Sequence, residues 1–126
     1  MNHSELIKTF ESCIHLLITN DFPLPLDNIS KQIHLTHSNK YFGVCMIQRK
    51  NGKTTYIIGL NSNFVANGTN DAIINTIYHE LLHTLPQTKG HDKTWKMYAN
   101  KVYRLFGYNV CRLGGDKTSK DYDCLR

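Results

Sequence analysis

The chain has 126 residues, 40% of them hydrophobic, and a formal net charge of +5, enough to bury one modest core as a single domain over residues 1–126. No run approaches the roughly 18 apolar residues that span a bilayer. The N-terminal MNHSELIKTFESC also lacks the basic and apolar regions of a secretory signal, so a cytoplasmic protein without membrane contact is expected. The four cysteines, at 13, 45, 111 and 124, have neither framework nor CxxC spacing and are read as reduced thiols, with Cys13 and Cys45 packed as small hydrophobes.

In chain order, Ser4 is a capping residue for a first helix whose apolar positions Leu6, Ile7, Phe10, Cys13, Ile14 and Leu17 keep helical spacing. The segment DFPLP, from Asp21, ends it. Residues 33–36, 41–48 and 54–60 are rich in aromatic and branched side chains and read as strands. Asn51 and Gly52 form a hairpin turn between the last two. A helix over 69–85 follows, with Ile73, Ile74, Ile77, Tyr78, Leu81, Leu82 and Leu85 on one broad apolar arc. Pro86 and Gly90 bracket a short connection. A third helix over 91–106 places Trp95, Tyr98, Ala99, Val102, Leu105 and Phe106 on one face and Lys93, Lys96, Asn100 and Arg104 on the other, with Asp92 as its N-cap. From about 108 to 126 the pattern fades into a loosely structured tail, with at most a short strand over 108–112.

The second helix carries HELLH, from His79 to His83. On a helix, residues four apart share a face, so both imidazoles can bind one metal ion, with Glu80 at the edge of that face. His79, Glu80 and His83 fall outside the apolar arc, and the small Ala72 and Thr76 one turn earlier leave the approach to the imidazoles open. His91 opens the next helix close to this pair and supplies a third ligand. Three protein ligands leave the fourth tetrahedral position to water, the arrangement of a catalytic zinc site. Zinc lowers the pKa of such a water to about 7, and Glu80 can accept its proton. His3, His15, His34 and His37 show no ligand spacing.

HELLH, a short loop and then GHDKTW at the start of an amphipathic helix resemble the SprT-like zinc metallopeptidases, in which HExxH is followed by a Gly-His pair and an aromatic residue. YFGVC from Tyr41 and YIIGLN from Tyr56 resemble the strand pair preceding the metal helix of that family, so the similarity runs over about 33–106. It implies His79, His83 and His91 as ligands to one catalytic zinc ion, Glu80 as general base, and peptidase activity on a protein or peptide substrate. For the Spartan branch it implies cleavage of proteins crosslinked to DNA. The expected fold is a minimal zincin-like α+β domain: an N-terminal helix, a small sheet with an antiparallel hairpin, the metal helix and a following amphipathic helix. The paired CxxC motifs of the family's C-terminal zinc ribbon are missing, so the ribbon is absent or lies beyond the chain.

Arg49, Lys50 and Lys53 at the hairpin tip and Lys89, Lys93, Lys96, Lys101 and Arg104 around the third helix form either a solvated face or a phosphate-directed footprint for DNA, centred on Lys93, Lys96 and Arg104. Two other classes compete with a peptidase. A metal-dependent ribonuclease of the three-His YbeY type lacks the glutamate after its first His, which Glu80 contradicts. A non-catalytic zinc-containing DNA-binding module has no need of a residue at the position of Glu80.

Overall fold

The structure is a computed structural model and describes residues 1–86, 88 and 92–110. Helix α1, His3–Thr19, starts two residues earlier than a cap at Ser4 allows. Asn2 is the N-cap, its side chain accepting from the Glu5 amide at 2.8 Å while Glu5 accepts from the Asn2 amide at 2.9 Å. This reciprocal capping box satisfies two orphan donors together, an arrangement that Ser4 does not make. Leu6, Phe10, Cys13 and Leu17 are buried, whereas Ile7 is exposed at the edge of the stripe. The chain leaves α1 through Asp21, at φ 66°, and a single 3-10 turn at Leu26–Asn28.

Three strands follow: β1 (His34–Thr36), β2 (Gly43–Lys50) and β3 (Lys53–Asn61). They form one mixed sheet in the order β1-β3-β2, with β1 parallel and β2 antiparallel to β3. Asn51 and Gly52 both have positive φ, 53° and 75°, the signature of the two-residue hairpin turn whose twist matches its strands. The hairpin tip is exposed, while Gly43 at the base of β2 and Ile58 to Asn61 at the end of β3 are buried. The hairpin therefore projects outward from a base fixed in the core.

A short helix not foreseen from sequence, α2 (Ser62–Asn67), is capped by Asn61, and Phe64 on it stacks on Phe42 at 4.5 Å. Helix α3, Asn70–Leu82, begins at the cap Thr69 and ends at His83, two residues short of the expected 85. Helix α4, Lys93–Phe106, begins at the expected cap, Asp92, which accepts from the Trp95 amide at 2.9 Å. Trp95, Ala99 and Val102 are its buried stripe, and Leu105, at the margin of that stripe, is exposed. Lys93, Lys96, Asn100 and Arg104 are exposed as expected. Lys101 instead bends toward α1, donating to the Asn20 carbonyl at 2.8 Å and lying over the Phe22 ring.

The domain is mixed α/β, with α3 at its centre. Helix α3 packs on α1, β2, β3 and α4, and the Cys13 thiol meets the Tyr78 hydroxyl across the α1–α3 seam. Such a helix is enclosed on nearly every side, which overturns two expectations. His79 and Glu80 are 1% and 2% exposed, and Ala72 and Thr76 are covered rather than open. A Cβ placed on Gly43 would lie 2.6 Å from Thr76 Cγ2 and 3.1 Å from Glu80 Cγ, so the base of β2 sits on the very turn that was expected to be clear. Among the described residues no helix is long and apolar enough to cross a membrane.

Candidate metal centre

Helix α3 brings His79, Glu80 and His83 together as their spacing requires. One ligand atom from each lies within 4.8 Å of the others. The rings of His79 and His83 stand edge-on with centroids 5.3 Å apart. His83 occupies the C-cap, still in helical conformation, so the helix ends where its second imidazole is presented.

The tautomer of His79 follows from its partner. Nδ1 lies 2.7 Å from the carbonyl oxygen of Val110. A carbonyl only accepts, so Nδ1 carries a proton and, in the neutral ring, the lone pair lies on Nε2. A hydrogen bond from the far nitrogen of the ring fixes the orientation of a metal-binding histidine and raises its basicity. The Glu80 carboxylate lies on the same side as that lone pair, with Oε2 3.8 Å from Nε2. An imidazole whose Nε2 faces a carboxylate, together with a second imidazole, forms a donor set that could hold a divalent transition metal.

Trp95 is the second element of the site. It is fully buried, meets His79 edge-on at 4.9 Å and stacks on His83 at 5.5 Å with ring planes 22° apart. The Asp92 cap holds the backbone of α4 at this point, so the helix-capping interaction also sets the platform under both imidazoles. Periodicity marked Trp95 only as part of an apolar face. Cys45, half-buried on β2, feels the same site. Burial and then the negative charge of Glu80 push its thiol up to about 12. Cys13, buried as expected, is likewise raised to about 12 by burial.

His91, the expected third ligand, and Gly90 and Lys89 before it lie outside the described residues, as do Cys111, Cys124 and the tail over 111–126. Tyr108 to Val110, which the sequence places in the loose tail, are instead held against α3. Val110 is buried, and the Tyr108 ring packs on Tyr78 at 5.7 Å. The Val110 carbonyl is thus a functional group that no side-chain pattern could reveal.

The mixed α/β domain thus carries HExxH on its central helix, with a His-Glu-His group that could hold a metal ion. The SprT-like family model matches residues 13–113, and the chain belongs to the SprT-like family. No curated protein and no solved structure matches it.

Proposed function

We propose that the chain is a zinc-dependent metallopeptidase in which His79, His83 and His91 hold the metal and Glu80 is the general base. The observation that carries this reading is the single-sided arrangement of His79. Its Nδ1 is committed to the Val110 carbonyl, and its Nε2 faces Glu80 and His83. Membership of the SprT-like family supports the same chemistry. Zinc, when bound, supplies Lewis acidity toward the scissile carbonyl and the attacking water.

The rest of the chemistry falls to the chain's own groups. Glu80 takes the proton of the attacking water and passes it to the leaving amide nitrogen. Its burial against Gly43 limits the directions in which the carboxylate can turn. Trp95 confines both imidazoles and keeps water from the inner side of the rings.

The substrates in this proposal are proteins or peptides, including proteins associated with DNA in a cytoplasmic setting. Lys93, Lys96 and Arg104, together with Arg49, Lys50 and Lys53 of the hairpin, are exposed and form no ion pair among the described residues. Such cations are available to phosphates. Glu80→Gln tests the mechanism: the amide cannot accept a proton, so the variant keeps its zinc and its fold but loses hydrolysis of a fluorogenic casein. Undiminished turnover removes Glu80 from the reaction. Zinc binding without hydrolysis in the parent protein favours the non-catalytic, DNA-binding reading.

A further inference from the structure

Three successive residues after α4 face three successive turns of one row on α3. Asp71, Asn75 and His79 stand four apart, so their side chains line up along the helix. The Tyr108 hydroxyl lies near the Asp71 carboxylate, and burial and then that negative charge raise the phenol's pKa. Asn75 Nδ2 donates to the Asn109 carbonyl at 2.9 Å, and His79 Nδ1 donates to the Val110 carbonyl at 2.7 Å. The next member of the row is His83.

The turn that starts this strap is made by Gly107, which ends α4 with φ 82°, a left-handed conformation that glycine adopts without penalty. The chain then doubles back onto α3. The His79–Val110 contact is buried and the Asn75–Asn109 contact part-buried, so losing the first leaves a buried polar group unsatisfied, which is costly. The Asn109 and Val110 carbonyls belong to adjoining peptide units. Fixing the first therefore restricts where the second can point.

We infer that Asn75 is a positioning residue for the metal centre: by holding the Asn109 carbonyl it keeps the Val110 carbonyl aimed at His79, and so sets the tautomer and angle of a metal ligand that it does not touch. The inference rests on the metal-binding part of the proposed function and is independent of peptidase activity. With Asn75 shortened, the 107–110 strap loses its middle attachment. His79 then spends part of its time without its acceptor, with its ring free to rotate or to place the proton on Nε2. Either state binds zinc less well.

The test is zinc affinity of the full chain, measured by competition with a chromophoric chelator after metal removal, with the visible spectrum of the cobalt-substituted protein as a report on ligand geometry. Asn75→Ala is expected to weaken zinc binding about tenfold to a hundredfold, the range for losing a group that orients a ligand from behind, and to alter the cobalt spectrum. Asn75→Ser, too short to reach the Asn109 carbonyl but polar and easily accommodated, should show the same loss if the alanine variant does not fold. Val65→Ala, in a buried position on α2, serves as the control that lowers thermal stability away from the strap, with unchanged zinc affinity. Wild-type affinity in Asn75→Ala or Asn75→Ser overturns the inference. So does an equal loss in Val65→Ala, which would mark the effect as general destabilisation. A parent protein that binds no zinc defeats the metal reading and this inference together, whereas one that binds zinc without cleaving peptides leaves this test intact.

Discussion

Gly43→Ala adds one methyl group where the base of the hairpin packs against α3. The new Cβ would stand 2.6 Å from Thr76 Cγ2, 3.1 Å from Glu80 Cγ and 3.2 Å from Leu60 Cδ2, against an ordinary carbon–carbon separation of about 3.5–4.0 Å. About 1 Å must therefore be found at Thr76. That side chain is not free to swing away, because its hydroxyl donates to the Ala72 carbonyl at 2.9 Å and the residue is fully buried. Overpacking of this kind costs about 1–3 kcal/mol, and each kcal/mol lowers Tm by roughly 3–6 °C in a domain of this size. Thermal unfolding of the parent, Gly43→Ala, Thr76→Ser and the double variant measures it as a cycle. Thr76→Ser removes the clashing Cγ2, so it should destabilise the parent but offset part of the loss in Gly43→Ala, with a coupling of about 1 kcal/mol or more. A Gly43→Ala protein that melts with the parent, or two losses that simply add, would refute the packing of β2 on α3.

The two described thiols are raised to about 12 by burial from an ordinary 9.0, so iodoacetamide at about pH 8 should leave Cys13 and Cys45 unmodified in the folded protein and label both after unfolding. The unfolded chain ionises these thiols first as pH rises, so stability should fall as pH climbs from about 9 toward 12; early native labelling of either residue, read by mass spectrometry, would contradict their packing. DNA binding should weaken steeply with salt, and Lys93→Glu with Lys96→Glu should weaken it for all sequences alike. Absence of binding in gel-shift assays at about 50 mM salt, where phosphate contacts still hold, would return these lysines to a solvated face.

What could be read from sequence was what local chemistry decides. The hairpin turn follows from Asn51 and Gly52 because few other pairs accept two positive φ angles, and Asp92 announces α4 because its carboxylate satisfies amides that the helix leaves open. The approach of His79 and His83 to one another on α3 follows from a spacing of four. Ser4 failed as a cap because Asn2, two residues earlier, and Glu5 satisfy each other's amides. Helix α2 is six residues long and too short to show a period. The enclosure of Glu80 depends on Gly43, distant in sequence, that of His79 on Trp95, and the partner of His79 is a backbone carbonyl whose position depends on the turn at Gly107. A side-chain pattern records which face of a helix is apolar. It does not record which polar residues the fold will cover, nor where a main-chain oxygen will come to rest.

Zinc titration of the metal-stripped protein, with bound metal counted by atomic emission, bears most directly on the central claim. One zinc ion per chain is expected for the parent, and His83→Ala should lose it along with some thermal stability, since metal binding is coupled to folding. Full zinc occupancy in His83→Ala, or none in the parent, would contradict the assignment of this helix as the metal-binding element.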